Sequence, residues 1–180
     1  MYNSYMTRRI ISSHDPRLRQ ISKPVLKIDK KILDLIKDLK DTLNVQKDPE
    51  GVGLAASQVG KNVRVFVFKD RNTVKVVINP EIISTTESTQ KKKTKNSIME
   101  GCLSLPNYYG PIKRIFGIEI KYQTVNGNKV VEKYEGLTAQ IIQHEIDHLN
   151  GIIFVDRLLE QKKPLYKFNG DNDWEEFELK

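Results

Sequence analysis

Cysteine, tryptophan and histidine are scarce in this chain: its 180 residues include one cysteine, one tryptophan and three histidines. One cysteine cannot form an internal disulfide, so we expect a reducing compartment. No apolar run approaches the roughly 20 residues that a membrane-spanning helix needs, and residues 1–9 lack the apolar core of a secretory signal. The sequence therefore predicts a soluble protein without a membrane partner.

The chain has fewer acidic than basic residues: 23 aspartates and glutamates against 30 lysines and arginines, which gives a net charge of +7. Such a charge favours attraction to polyanions, for example RNA or a ribosome surface. The basic residues are scattered, apart from Lys91, Lys92, Lys93 and Lys95, and no nucleic-acid motif accompanies them. We expect no specific nucleic-acid partner and at most a weak contact with the ribosome.

The length predicts one domain over residues 1–180. Asp29 is a good N-cap, and apolar residues at helical spacing follow it, which predicts a helix over 29–44. Two β-hairpins are predicted, the second around Asn126-Gly127, together with a separate strand after Asn79-Pro80. Strands and helices without regular alternation favour an α+β fold, with antiparallel sheets packed around a central helix. The predicted strands are 63–68, 74–78, 81–83, 115–123 and 129–134.

Two polar segments are predicted to lie outside the core. Residues 84–97 contain no apolar side chain, which predicts a mobile polar surface loop. Residues 156–166 are expected to form a short last helix. Residues 168–180 form an acidic tail that holds the only tryptophan.

The stretch from His144 to His148 is an H-E-x-x-H pentapeptide that uses two of the three histidines. On a helix, residues four apart share one face, so both imidazoles can bind one metal ion, with Glu145 beside it. Apolar residues at helical spacing and Gly151 predict a central helix that ends there. A metal-activated water and a neighbouring carboxylate indicate hydrolysis.

A catalytic site of this kind needs a third protein ligand. Phe154 stands where a metzincin has its third histidine. Two alternatives remain from the residues alone. A later carboxylate, such as Glu160 or Glu175, would make the chain a small zinc metallopeptidase, whereas the thiolate of Cys102 would give a mixed sulfur and nitrogen site.

Three segments resemble, in order and spacing, the three motifs of peptide deformylases. They are Gly-Val-Gly-Leu-Ala-Ala-Ser-Gln at 51–58, Glu-Gly-Cys-Leu-Ser at 100–104 and Gln-His-Glu-Ile-Asp-His-Leu-Asn-Gly at 143–151. The resemblance covers about residues 10–156. It implies a metal-dependent hydrolase that removes the N-formyl group from formyl-methionine at the start of nascent polypeptides and releases formate.

The resemblance also implies the roles of the catalytic residues. In this family the ion is typically iron (Fe²⁺), and zinc (Zn²⁺), nickel (Ni²⁺) or cobalt (Co²⁺) can occupy the same site. Glu145 would move the proton of the attacking water, and the side chain of Gln58 and the backbone amide of Leu103 would hold the developing oxyanion. The metal ligands would be Cys102, His144 and His148.

The same resemblance implies a substrate pocket. The backbone of Gly53 would pair with the substrate main chain, and Arg114 would pair with Glu100 to brace the cysteine segment. The chain departs from the family at Gln140, where an apolar residue is frequent, and at Tyr109, where many relatives carry arginine. The residues expected to contact substrate are Val52, Gly53, Ile98, Glu100, Gly101, Leu137, Gln140 and Ile141.

Overall fold

The computed structural model describes residues 7–47, 49–71, 73–87, 99–171 and 173–179. Three α-helices and nine β-strands are assigned within these ranges. The helices are α1 Lys30–Val45, α2 Gly136–Leu149 and α3 Phe154–Glu160. The strands are β1 Gly53–Ala55, β2 Val65–Asp70, β3 Thr73–Thr86, β4 Glu100–Cys102, β5 Leu105–Gly110, β6 Gly117–Gln123, β7 Lys129–Glu135, β8 Leu165–Gly170 and β9 Asp173–Phe177.

The larger sheet has five antiparallel strands in the order β1-β2-β3-β6-β7. Successive side chains of a strand point to opposite faces. Phe66 and Phe68 of β2 accordingly pack in a core cluster with α2, while Val65 and Val67 pack in a second cluster with α1. A helix therefore covers each face of the sheet, which explains why β2 is apolar at successive positions. The predicted α+β fold around the H-E-x-x-H helix is confirmed.

The smaller sheet has four antiparallel strands in the order β4-β5-β8-β9. It packs with α3 in a third cluster, whose buried members are Cys102, Ile112, Phe154, Leu158 and Leu165. The hydrophobic cluster between the smaller sheet and α3 thus includes Cys102, the only cysteine of the sequence. None of the helices in the described ranges is long and apolar enough to cross a bilayer.

Strand β3 corrects two predictions about residues 79–97. It does not end at Asn79 but continues to Thr86, with a register shift between Ile78 and Glu81. Asn79 adopts a positive φ of 52°, and its side chain bonds both the amide and the carbonyl of Val25 at 2.8 Å. A bulge of this kind accommodates Pro80, which has no amide proton for the ladder. Residues 84–86 of the predicted loop are therefore strand, and its residues 88–97 lie outside the described ranges.

The last predicted helix and the acidic tail are also corrected. Helix α3 begins at Phe154, where Asp156 accepts a hydrogen bond from the amide of Ile153 at 2.9 Å. It ends at Glu160, before Pro164, which disfavours helix at the residue that precedes it. Strands β8 and β9 follow as an antiparallel hairpin, so most of the predicted tail is strand. The helix over 29–44 is confirmed within one residue of its predicted bounds. Both predicted hairpins are confirmed, although the second strand of the first hairpin is longer than predicted. The assignment of residues 1–180 to one domain stays a prediction.

Candidate metal centre

The three predicted metal ligands converge where the end of β4 approaches helix α2. Cys102 ends β4, and His144 and His148 lie one turn apart on α2. All three residues are buried, and their possible ligand atoms lie within 4.8 Å of one another. The sulfur of Cys102 is 3.2 Å from Nε2 of His148. Of the two alternatives for the third ligand, the thiolate is the one that the fold brings to the histidine pair.

The geometry and the chemistry of these donors fit a bound metal ion. Metal–ligand bonds of about 2.0–2.3 Å in a tetrahedral site separate the donor atoms by about 3.3–3.8 Å. The observed separations need only small adjustments to reach that range. A soft thiolate with two imidazoles suits Fe²⁺ or Zn²⁺ better than hard, oxygen-preferring ions. The candidate carboxylate Glu160, in contrast, is paired with Arg157 at 2.8 Å.

The electrostatic surroundings of Cys102 favour the thiolate. Burial by itself raises the pKa of this thiol, but the neighbouring His148 and His144 outweigh burial and hold the pKa well below its ordinary value of 9.0. A thiolate is the form of cysteine that binds metals. The folded chain therefore presents Cys102 in the protonation state that a metal requires.

A buried carboxylate orients His144. Its Nδ1 lies 2.8 Å from Oε1 of Glu100, and because an ionised carboxylate only accepts hydrogen bonds, Nδ1 carries the proton and Nε2 is left for a metal. Burial alone raises the pKa of Glu100, yet its hydrogen bonds with His144 and Arg114 lower that pKa to about 2. Arg114 donates to both oxygens of Glu100, at 3.0 and 2.6 Å, which confirms the predicted pair.

The same arginine extends this support to a second buried carboxylate. Arg114 also donates to Asp147 at 2.6 Å, and Arg157 of α3 donates to both oxygens of Asp147 at 2.9 and 2.6 Å. The buried charges of Glu100 and Asp147 are thereby paired, as groups excluded from water must be. Sequence reasoning missed Arg157, since an arginine in a short amphipathic helix carries no distinguishing pattern.

The predicted proton carrier, Glu145, lies buried against β1. Its side chain is buried, and burial raises the pKa of the carboxyl to about 7, a value suited to giving and taking a proton near neutral pH. Its Oε2 accepts no hydrogen bond from any described residue. On its other side the carboxylate lies against Gly53 of β1, where an added methyl carbon would stand 2.3 Å from Oε1. Glycine at this position is thus required by the close approach of Glu145.

Gln58 presents a fixed amide to the centre. It lies in the short 3₁₀ helix Ala56–Val59 and is buried, and its Oε1 accepts a hydrogen bond from the amide of Ala55 at 2.9 Å. Its Nε2 then points to the sulfur of Cys102 at 3.4 Å and to the hydroxyl of Ser104 at 3.3 Å. Leu103 follows Cys102 directly and lines the same cavity. The predicted oxyanion donors therefore lie beside the ligand cluster.

A cavity of about 250 Å³ opens onto these groups. Ile98 lies outside the described residues. Gln140 also donates to Glu100 at 3.2 Å, so this polar replacement joins the support of His144. The predicted substrate residues that line the cavity are Val52, Gly53, Glu100, Gly101, Leu137, Gln140 and Ile141. Tyr109, which the sequence analysis named as a departure from the family, lines it as well. Its lining also includes residues that sequence reasoning missed, namely Pro49, Glu50, Met99, Leu105, Asn107 and Tyr108.

An α+β fold that brings a cysteine to the two histidines of an H-E-x-x-H helix, with the buried Glu145 beside them, is typical of a metal-dependent hydrolase. A sequence profile described as polypeptide deformylase matches residues 7–164, and a peptide deformylase from Psychrobacter cryohalolentis is 41% identical over 157 residues, which cover 86% of this chain and 80% of that protein. The chain belongs to the polypeptide deformylase family.

Solved structures agree with this assignment. The crystal structure of the peptide deformylase from Thermotoga maritima is similar with a TM-score of 0.75 and 40% identity, covering 84% of this chain and 97% of that one. A Met-Ala-Ser-bound class I type b peptide deformylase from Acinetobacter baumannii is similar with a TM-score of 0.74 and 30% identity, covering 85% of this chain and 99% of that one. The structural similarity to these two enzymes therefore supports the family assignment made from the sequence.

Proposed function

We propose that this chain removes the N-formyl group from formyl-methionyl peptides of newly made proteins at the centre formed by Cys102, His144 and His148. The observation that carries this proposal is the convergence of those three donors beside Oε2 of Glu145, an oxygen that accepts no hydrogen bond from the described residues. Family membership supports the same reaction.

The ion that we propose is Fe²⁺, with Zn²⁺, Ni²⁺ or Co²⁺ able to take its place. When bound, it supplies Lewis acidity, which lowers the pKa of a water molecule and polarises a carbonyl group. Cys102, His144 and His148 would hold it and leave one position open. The donor set supports a soft or borderline divalent ion and does not by itself select iron over zinc.

The chain's own residues then move the proton and stabilise charge. Glu145 takes a proton from the attacking water through Oε2, and the water oxygen bonds to the formyl carbon. Gln58 Nε2 and the backbone amide of Leu103 donate to the oxyanion that develops, a contribution of about 10²–10³ in rate per donor. Glu145 finally delivers its proton to the amine as the C–N bond breaks, which yields formate and a free N-terminus.

The substrate would enter as an added strand along β1. This strand is at the edge of the five-stranded sheet, so its outer backbone groups can pair with an extended peptide. Leu137, Ile141 and Val52 would enclose the methionine side chain, with Val52 and Leu137 at the mouth, where they are about half exposed. The tripeptide Met-Ala-Ser in the Acinetobacter structure supports peptide binding of this kind.

The setting that fits this reaction is a bacterial-type cytoplasm or an organelle, close to the ribosome. A reducing compartment keeps Cys102 as a thiolate ligand, and the relatives from Psychrobacter and Thermotoga are bacterial. The net charge of +7 would bring the chain near ribosomal RNA. The C-terminal hairpin is acidic, so we do not assign that contact to it.

Anaerobic purification with metal analysis, followed by formate release from formyl-Met-Ala-Ser, tests the proposal. We expect close to one iron per chain and turnover of the peptide. Glu145→Ala should retain the metal and lose turnover, whereas Cys102→Ala should lose the metal. A chain loaded with iron, nickel or cobalt that releases no formate would refute the proposed reaction.

A further inference from the structure

The positive charge of the chain is concentrated in one N-terminal segment. Residues 7–31 contain eight lysines and arginines and two acidic residues, which gives a net charge of +6 out of +7 for the whole chain. Residues 32–180 are nearly neutral, with 22 basic and 21 acidic residues. The cations of the segment occur singly or in pairs, so the concentration is visible only when charge is counted along the chain.

The fold turns this segment so that its cations face solvent. Leu18, Ser22 and Val25 are buried, and the residues between them are exposed. Lys23 thus lies on the outside of a stretch whose neighbours on either side hold it against the core. Three arginines of the segment are paired with carboxylates, namely Arg8 with Asp38, Arg17 with Asp15 and Arg19 with Asp156.

A second stretch of chain adds a further cation beside this segment. Lys23 and Val63 are paired as an isolated parallel bridge, with two backbone hydrogen bonds of 3.2 and 2.9 Å around Lys23. Lys61 lies two residues before Val63 and is exposed. We define the basic surface as the exposed cations of this region that form no ion pair with a residue that the structure describes: Arg9, Lys23, Lys27, Lys30, Lys31 and Lys61.

The segment that carries the basic surface packs against the back of the metal centre. The amide of Ile11 donates to the carbonyl of Gln58 at 2.9 Å, and the amide of Ser13 donates to the carbonyl of Ser104 at 2.8 Å. The side chain of Gln58 points instead to the sulfur of Cys102. No member of the basic surface is among the described residues that line the catalytic cavity. A ligand on the basic surface would therefore leave the cavity open to a peptide.

The composition of the segment indicates which polyanion fits. Residues 7–31 contain no phenylalanine, tyrosine or tryptophan, so they offer no aromatic ring on which unpaired bases stack. Lysines neutralise phosphate charge without reading bases. A membrane surface is bound by a helix with a broad apolar face, whereas the well-exposed large apolar side chains described in this segment are Ile21 and Leu26. Phosphates on a base-paired nucleic acid match these properties best.

We propose that the basic surface binds the phosphate backbone of double-stranded RNA, independently of base sequence, while the formyl peptide occupies the cavity. Lys23 and Lys27 are separated by at most about 14 Å of extended chain, so several phosphates of one duplex lie within reach of the six cations. The choice of RNA over DNA rests on the proposed function, because newly made proteins emerge beside structured RNA. Binding to the duplex would hold the enzyme near its substrate without a contact to the peptide.

Fluorescence anisotropy with a labelled RNA duplex of about 16 base pairs tests this proposal on the metal-loaded full chain. At physiological salt we expect a Kd of about 10⁻⁴–10⁻⁶ M, the range of sequence-independent binding. If about four cations contact phosphates, the logarithm of the association constant should fall against the logarithm of the salt concentration with a slope of about −3 to −4. One strand of the same duplex should bind no better than the duplex, because the segment has no stacking platform.

Two pairs of lysines provide matched variants. Lys23→Gln combined with Lys27→Gln removes two charges from the middle of the basic surface. We expect binding to weaken about tenfold or more and the salt slope to become shallower by about 1.5–2. Lys113→Gln combined with Lys163→Gln removes the same charge from exposed positions beside the end of α3 and should keep the parent affinity. Both double variants should release formate from formyl-Met-Ala-Ser at the parent rate.

RNA binding and formate release are measured on the same preparations, so their failures are distinguishable. Saturating duplex should leave formate release unchanged, and inhibition would place the RNA in the cavity and overturn the proposal. Equal affinities of the two double variants, insensitivity to salt or a preference for single strands would also overturn it. Binding to phosphatidylserine vesicles without binding to RNA would assign the surface to a membrane instead. Normal RNA binding without formate release would refute the proposed reaction and leave the basic surface standing.

Discussion

Replacing Gly53 with alanine should disable Glu145 without removing the metal. The added methyl carbon would stand 2.3 Å from Oε1 and 2.9 Å from the carboxyl carbon of Glu145, although real contacts of this kind are essentially never below 3.0 Å. The carboxylate must therefore move by at least 0.7 Å. A displacement of about 1 Å in a catalytic group costs about a hundredfold in rate, so we expect kcat/KM to fall by about that factor.

Gly51→Ala is the matched control for this variant. A methyl carbon there would stand 2.8 Å from Leu43 and 2.9 Å from Gln46, which are not part of the metal centre. Neither Gly51 nor Gly53 has a positive φ, so alanine does not strain the backbone at either position. Both variants should lose about 1–3 kcal/mol of stability through overpacking, but Gly51→Ala should keep its activity when it is assayed below its unfolding temperature.

Three measurements decide the outcome: formate release, metal content and thermal unfolding. The rate loss of Gly53→Ala should accompany a full complement of metal, because no ligand atom is displaced. In a Glu145→Ala background the stability penalty of Gly53→Ala should shrink, since the clashing group is gone. Activity close to that of the parent in Gly53→Ala would refute the assigned position of Glu145. Loss of metal from Gly53→Ala would refute the expectation that this variant disturbs Glu145 without disturbing the metal ligands.

Three further substitutions test other parts of the centre. Cys102→Ala should bring metal content, measured by mass spectrometry, close to zero and make thermal unfolding insensitive to chelators. Gln58→Leu should lower kcat about 10²–10³-fold with metal retained, because one oxyanion donor is lost from a buried position; an unchanged kcat would exclude that role. Arg114→Leu leaves the buried carboxylates of Glu100 and Asp147 poorly paired, so urea unfolding should show a loss of about 3–5 kcal/mol.

The sequence predicted the elements whose signals are local. Helix α1 begins after Asp29, whose side chain accepts a hydrogen bond from the amide of Ile32, as its N-cap pattern indicates. The turn at Asn126-Gly127 fixed the hairpin of β6 and β7. The proposed ligands were also predictable, because Cys102 and the two histidines lie in short motifs. Their roles depended on resemblance to a family, since spacing alone left a carboxylate ligand open.

The elements that were missed depend on contacts distant in the sequence. Strand β4 has three residues, too few to show a pattern, and it forms by pairing with β5. Strand β9 is exposed along its length and shows no apolar alternation, so the aromatic contact of Trp174 with Tyr109 is what distinguishes it from a tail. The continuation of β3 past Asn79 depends on hydrogen bonds to Val25, 54 residues away.

The proposed metal ligands lie on different parts of the fold, so a bound ion would cross-link them. Cys102 belongs to the four-stranded sheet, while His144 and His148 belong to the helix that packs on the five-stranded sheet. An ion bound by all three residues would link β4 to helix α2, so part of its binding free energy would stabilise the packing of the smaller sheet on the rest of the fold. Removal of the proposed ion should then loosen the β4–β5 hairpin before the larger sheet unfolds. Amide hydrogen exchange in that hairpin should therefore be faster in the metal-free chain than in the metal-loaded chain.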